Sequence, residues 1–448
     1  DADRPAHLRA QAGRDRAVEA GERAPAGGGR ALSASYSRPY LAHGSIGPST
    51  ALARFEKSVL NVWSASQNVF ALRGWIARTL GLDPANVVVH HAQGAGCYGH
   101  NPADDAAFDA AYVATLRPGR TVRAQWSRRD ELAADAYGPA ASVRVEAVLD
   151  GAGRPADWTF ELWSAAHGQR PGSNGVANLI GAEALPDAAP PPKETSDPVD
   201  PDGGGAMRNA RALYDLPHQR ILHHLLEMPA VRTSSLRGLG TFMNLFSIEC
   251  FIDELAEAAG EDPLAYRLAL TADPRARRVL ETAAAMAGWV AGAPAGTGTG
   301  RGIAFGRYKN QAGYMAIVAE VQVDDQVSFR RAFAAVDAGL LVNPDGAANQ
   351  IEGGIVQAAS WALKEQVRFE GGSSAALDWD RYPILRFSEV PEIEIRFVGE
   401  PHQPPLGLGE VAQGPTAGAL GNAVAHALGA RIRDLPLTRA RIMDALLA

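Results

Sequence analysis

Cysteine is nearly absent from this chain of 448 residues: Cys97 and Cys250 are the only two. Two thiols exclude a disulfide framework, a zinc ribbon and a four-thiolate cluster. No CxxCH occurs either, so any haem or iron–sulfur centre serving this protein has to sit on another chain. Long apolar runs are missing too. The two longest uncharged stretches, Thr282 to Gly300 and Val411 to Ala430, are rich in Ala, Gly and Thr and lack the Leu, Ile, Val and Phe density of a membrane span. There is no basic run: Lys and Arg number 43 against 50 Asp and Glu, a net charge of −7. Phosphate neutralisation needs a basic patch, so nucleic-acid binding is excluded. The first thirty residues start with Asp and hold no apolar segment of the kind a signal peptide needs. The chain therefore reads as a processed or split piece of something longer.

What is present is globular. Hydrophobic residues make up 46% and charged residues 21%, enough apolar surface for two or three domains. Residues 1–30, ending in Ala26-Gly27-Gly28-Gly29-Arg30, read as a linker or tail. Residues 189–206 read as a second linker or loop, with Pro190-Pro191-Pro192, two Asp-Pro steps and Gly203-Gly204-Gly205. That division puts one domain at 31–188 and another at 207–448. Apolar residues at Val69, Leu72, Trp75, Ile76 and Leu80 predict a helix over 66–82 capped by Ser66. Val87 to Val89 centre a short strand, and 102–116 reads as a helix with Asp104 and Asp105 solvated in its first turn. Strands are predicted at 123–127 and 142–149, then one with Trp158, Phe160 and Leu162 on a single face. Helices follow near 245–259, 263–270 and 274–287, strands at 315–323, 328–336 and 393–398, and helices at 349–363, 416–428 and 437–447. Strands and helices in no regular βαβ alternation predict an α+β architecture.

Four segments hold residues suited to chemistry. Gly94-Ala95-Gly96-Cys97-Tyr98-Gly99 matches GxGxxG between a strand and a helix, where amide groups favour an anion. No acid stands at the spacing a dinucleotide site requires, so it is either a structural turn or a phosphate or cofactor loop. Ser234 to Gly240 places Arg237 among small residues, where its fork would hold a phosphate or oxo group or else cap backbone carbonyls. Leu406-Gly407-Leu408-Gly409-Glu410 sets a carboxylate beside glycines ahead of a helix. That is a general base in a dry pocket or a Glu stabilised by the helix dipole. Gln67 either points to solvent after Ser66 or donates its amide to a buried ligand oxygen. Eleven histidines show no HExxH or other tight ligand spacing and read as structural or surface groups, and both cysteines as buried apolar residues.

Their order carries more than any one of them. SQN, GAGCYGHNPADDAAFDAA, MPAVRTSSLRGLG, ECFIDELAEAAGEDPLAYR, DAGLLVNPDGAANQIEGGIVQ and PPLGLGE follow one another along the chain. From about Leu32 to Ala448 this resembles the molybdenum-cofactor-binding subunit of the xanthine dehydrogenase/aldehyde oxidase family. The branch it looks most like is that of the isoquinoline 1-oxidoreductase β-subunit and its nicotinate dehydrogenase counterpart. GCYGHN and YPILRFSEVPE carry that finer likeness.

The resemblance implies roles. Gln67 matches the glutamine beside the apical oxo ligand of molybdenum. Gly96, Cys97, Tyr98 and Gly99 match the GGFG-type loop at the cofactor, with Tyr98 in place of the commoner Phe. Leu236, Arg237 and Gly238 match the FRGFG-type loop, and Leu239 stands where an aromatic often stacks on substrate. Glu410 matches the base that deprotonates the Mo–OH group, with hydride passing to a sulfido ligand. No protein residue of this chain is implied as a metal ligand. The implied cofactor is molybdopterin, in its cytosine dinucleotide form, with 2Fe–2S clusters on a small-subunit partner. The implied reaction hydroxylates an N-heteroaromatic or oxidises an aldehyde.

The GQG-type motif of the family's N-terminal half is not found, so a further chain carrying that half is the expected partner, or the chain is a fragment. A non-catalytic scaffold completed by another chain is the alternative. Branch members that pass electrons to cytochrome c face the periplasm, which makes such an acceptor, and that side of the inner membrane, the favoured setting.

Overall fold

Among the described residues, three larger β-sheets, a two-stranded ribbon of Phe369–Glu370 and Ser373–Ser374, and the helices between them organise the fold. A computed structural model describes residues 3–23, 29–187, 196–227 and 229–447. The first sheet has five strands in the order Gly13–Gly21, His218–Leu226, Pro155–Ala165, Ala141–Leu149 and Arg30–Arg38. Trp158, Phe160 and Leu162 face one way along Pro155–Ala165 because side chains alternate with a period of two, and all three are buried. They meet the helix Thr241–Ala259, where Trp158 packs on Phe251 and Tyr36 on Phe246, with ring centroids 5.5 and 5.8 Å apart.

That helix is buried almost all round, not along one stripe, since the helix Gln413–Leu428 lies on its other side. The second helix is itself pressed against the strand Thr299–Arg307. A Cβ on Gly302 would stand 2.2 Å from the Ala423 amide nitrogen, so the strand approaches the helix backbone as only glycine allows. The Ala/Gly-rich composition of 411–430 thus serves close packing. Thr299–Arg307 opens a sheet continued by Tyr314–Val323, Val327–Asp337 and Glu392–Phe397, the last strand joining in parallel after the helix Pro344–Leu363.

The remaining four-stranded sheet runs Val87–His91, Val59–Ser64, Thr50–Glu56, Thr121–Gln125. Val59–Ser64 and Val87–His91 are parallel and joined through the helix Val69–Thr79, a βαβ unit. Ligands gather beyond the carboxyl ends of such strands. Gln67 follows one of those ends, and the Gly94–Gly99 loop follows the other.

Several sequence expectations are corrected. The expected tail at 1–30 contains the helix Pro5–Ala10 and the edge strand Gly13–Gly21, whose alternating charged residues belong to a two-faced, half-solvated strand. Residues 24–28 lie outside the described residues. So do 189–195 of the expected linker, but its remainder is packed. Asp197 is buried and accepts hydrogen bonds from the amides of His167 (2.9 Å) and Ala206 (2.6 Å), and burial lifts its carboxyl to about 6. Because His218–Leu226 pairs with both Gly13–Gly21 and Pro155–Ala165, the first sheet draws strands from both sides of that segment.

The cap of Val69–Thr79 is Asn68, whose side chain accepts from the Ala71 amide, while Ser66 accepts from the Asn68 amide one turn earlier. Asp104 and Asp105 are not solvated. Asp104 pairs with its neighbour His100 Nε2 at 2.9 Å, Asp105 accepts from the distant Arg232 at 2.8 Å, and both are buried. Strands at 13–21, 30–38, 50–56, 59–64, 218–226 and 299–307 are additions to the sequence expectation. His218–Leu226, for one, is buried on both faces and does not alternate. Among the described residues no helix is long and apolar enough to cross a membrane.

Candidate active site

The two glycine loops meet at Gly99 and Leu236, which pair as an isolated antiparallel bridge, and the His100 amide donates to the Ser235 carbonyl at 2.8 Å. The same carbonyl accepts from His43 Nε2 at 2.8 Å, while His43 Nδ1 donates to Asp135 at 2.9 Å. Burial pushes the His43 imidazole down, but Asp135 and the bond to Ser235 outweigh it and leave the imidazole above its usual range. The His43 ring, bonded to both Asp135 and the Ser235 carbonyl, thus anchors the second loop from behind. Tyr98 and Leu239 occupy the left-handed region, with φ of 54° and 52°. Such strain in side-chain-bearing residues gathers at ligand sites.

In front of this junction lies a cavity of about 610 Å³. Seven of the ten residues expected at the site line it: Gln67, Cys97, Tyr98, Gly99, Arg237, Leu239 and Glu410. The other three support the wall. Gly96 turns beneath the Tyr98 ring, its carbonyl accepting from Asn101. Leu236 is fully buried against Gly138. The Gly238 amide donates to Glu410 Oε1 at 2.7 Å. Cys97 is only half-buried, contrary to the buried apolar reading, and accepts from Gln67 Nε2 at 2.8 Å.

Arg170, Arg208 and Gln350 also line the cavity, and Tyr308 stands directly behind Glu410. Sequence reasoning missed them: Gly168 and Gly172 flank Arg170 and Gly203–Gly205 precede Arg208, but no motif marks these positions as facing a site, and tertiary contacts alone bring them to it. Arg170 donates to Gln67 Oε1 at 3.0 Å, which fixes both ends of that amide. Arg237 donates to the Gly409 carbonyl at 2.7 Å and to Gln350 at 3.1 Å, so its fork caps backbone at the cavity rim. Burial lowers the Arg170 and Arg237 guanidinium groups from their usual value, and the Glu410 charge opposes this in both. Glu410 Oε2 accepts from the Tyr308 hydroxyl, which in turn accepts from Arg208.

Among the described residues, none of the three cavity arginines forms an ion pair with a carboxylate, and Glu410 is the one acid on the lining. Three cations against one anion is a donor set for a strongly anionic ligand. An oxo-metal centre carried on a phosphorylated organic group has that chemistry, and so the residues present fit a molybdenum cofactor. No cluster of three or more His, Cys, Asp or Glu able to hold a bare metal ion occurs among the described residues.

Models of the molybdopterin cofactor-binding domain match residues 11–182 and 254–391. One nicotinate dehydrogenase subunit of Pseudomonas putida is 37% identical over 433 residues, 93% of this chain. The chain belongs to the molybdopterin cofactor-binding family. The β-subunit of isoquinoline 1-oxidoreductase from Brevundimonas diminuta is 32% identical over 380 residues, 84% of the chain. The chain spans 35% and 46% of the lengths of these two relatives. Aldehyde oxidoreductase from Desulfovibrio gigas superposes with a TM-score of 0.76 at 17% identity, covering 97% of this chain and 63% of that one. Quinoline 2-oxidoreductase from Pseudomonas putida 86 gives 0.75 at 15%, covering 96% and 78%. The expected molybdenum hydroxylase large-subunit fold is therefore present in this molybdopterin-binding chain.

Proposed function

We propose that this molybdopterin-binding chain supplies the base and much of the cofactor cradle of an oxidoreductase acting on an N-heteroaromatic or an aldehyde. The reading rests on one observation: Glu410 is the only carboxylate on a cavity whose other charged groups are three arginines without a carboxylate partner among the described residues. Gln67, the Cys97–Gly99 loop and Arg237 would hold the cofactor, here taken as the cytosine dinucleotide form, with Arg170 keeping the Gln67 amide in place. When bound, that cofactor supplies the two-electron redox chemistry.

The net reaction replaces C–H by C–OH with oxygen from water, releasing two electrons and two protons. Glu410 takes one proton on its carboxylate, a step typically contributing 10²–10⁴-fold to rate. Leu239, held in its strained conformation at the rim, bounds the substrate side. The electrons would leave through a 2Fe–2S partner chain, with a cytochrome c as the outer acceptor and a further chain completing the cavity. The two relatives named for nicotinate and isoquinoline support a nitrogen heterocycle over an aldehyde, and the cationic cavity suits one bearing a carboxylate.

The test is Glu410→Gln in the complex isolated from the host. Turnover is expected to fall at least about 10²-fold with molybdenum per chain unchanged by elemental mass spectrometry. Full turnover in that variant removes Glu410 from the chemistry. A wild-type complex without molybdenum, from a host that makes the cofactor, leaves the chain as a scaffold.

A further inference from the structure

The Glu410 carboxylate is held by groups from separate parts of the chain. Oε1 accepts from the Gly238 amide, and Oε2 accepts from the Tyr308 hydroxyl. The hydroxyl also accepts from Arg208, whose Nε is tied to the Gly203 carbonyl at 2.9 Å and whose guanidinium lies 5.3 Å over the Tyr308 ring. Arg208, Tyr308 and Glu410 thus form a directed donor chain ending on the carboxylate.

The chain is built to stay in register. Asn209, next to Arg208, is fully buried and donates to the Arg307 carbonyl (2.8 Å) and to Asn310 Oδ1 (2.7 Å). Its own Oδ1 accepts from the Lys309 amide (3.0 Å) and from Thr241 Oγ1 (2.9 Å). Asn310 donates in return to Asp202 at 2.8 Å. Asn209, Lys309 and Asn310 all adopt left-handed φ of 54–60°. Three strained residues locked by reciprocal amide bonds fix the turn that carries Tyr308 against the segment that carries Arg208.

We propose that Tyr308 is the positioning residue of Glu410, holding one carboxylate oxygen and setting the basicity of the group; this rests on the assignment of Glu410 as the base. A donor to the charged form of a carboxyl group favours that form. Burial, with the Glu410 charge beside it, raises the Tyr308 phenol above its usual value, so the hydroxyl keeps its proton and donates. The other charged groups on the cavity are Arg170, Arg208 and Arg237; Cys97 and Tyr98 also line it. Tyr308 is the side chain that bonds the carboxylate directly.

The experiment compares wild type, Tyr308→Phe and 3-fluorotyrosine at 308 in the native complex, each normalised to molybdenum content. The acid limb of the kcat/KM pH profile is expected to move up by about one unit in Tyr308→Phe. It should move down in the fluorotyrosine protein, whose more acidic hydroxyl donates more strongly without a change of shape. A readout independent of turnover is the infrared titration of the carboxyl band that Glu410→Gln removes, and it should move in the same directions. If that band titrates at one pH in all three proteins, Tyr308 does not position Glu410, whatever the standing of the base. If the band moves while Glu410→Gln retains full turnover, the positioning holds and the assignment of the base falls.

Discussion

Gly99 and Leu236 face one another across an isolated bridge, and that pairing brings the two glycine loops together into one wall. A methyl group on Gly99 would stand 1.9 Å from the Ser235 carbonyl oxygen, and its φ of 122° suits no L side chain.

Gly99→Ala is therefore expected to cost at least about 2 kcal/mol in denaturant unfolding and to lower molybdenum content. Gly353→Ala is the matched control. It lies exposed on the helix Pro344–Leu363 with nothing near its Cβ position, and should gain about 0.5–1 kcal/mol from helix propensity. Equal behaviour of the two variants would contradict the bridge as the constraint.

Arg237→Lys keeps the charge and loses the fork. Lysine cannot reach the Gly409 carbonyl and Gln350 together as the guanidinium does. Loss of these charge-assisted bonds, worth about 1.5–3 kcal/mol within the protein, loosens the cavity rim and is expected to lower cofactor retention. Molybdenum per chain after gel filtration measures it, and unchanged occupancy would mean that positive charge alone suffices at this position.

Glu249 sits at the centre of a buried polar network. Its carboxylate accepts from Tyr214 (2.6 Å), the Phe305 amide (2.9 Å) and Arg267 (3.0 Å), and Arg267 also binds Asp253 at 2.9 Å. Arg267→Met leaves Glu249 without its cation, while Asp253 keeps Arg431 at 3.1 Å. Removing one partner of a buried pair typically costs about 3–5 kcal/mol, so the urea midpoint should drop sharply. A change under about 1 kcal/mol would show that Tyr214 and Phe305 satisfy the carboxylate by themselves.

Glu365 is buried, and desolvation raises its carboxyl to about 7 while the Ser360 and Tyr382 hydroxyls pull the other way. Below about pH 4.5 it is protonated in both folded and unfolded chains, and its contribution to stability is fully present. As pH rises toward 7 the unfolded chain ionises first, so the folded state loses on the order of 3 kcal/mol over that window. Glu365→Gln should abolish this downward slope in unfolding free energy between pH 4.5 and 7. Parallel stability curves for the two proteins would refute it.

Local pattern alone determined much of this protein. The alternation of Trp158, Phe160 and Leu162, the helical spacing through Leu72 and Ile76, and the Asp-Asp-Gln turn at 324–326 each depend on neighbours within a few residues, and each appears as expected. The ordered motifs likewise contain seven of the residues that line the cavity. Tertiary structure decided the rest. Asp105 is buried because Arg232 reaches it from more than a hundred residues away, which no helix-end pattern encodes, whereas the partner of Asp104 is its neighbour His100. Arg170, Arg208 and Tyr308 join the site only when three loops distant in the chain converge. Charge, burial and hydrogen-bond partner are properties of that convergence, and the residues along any one segment do not contain them.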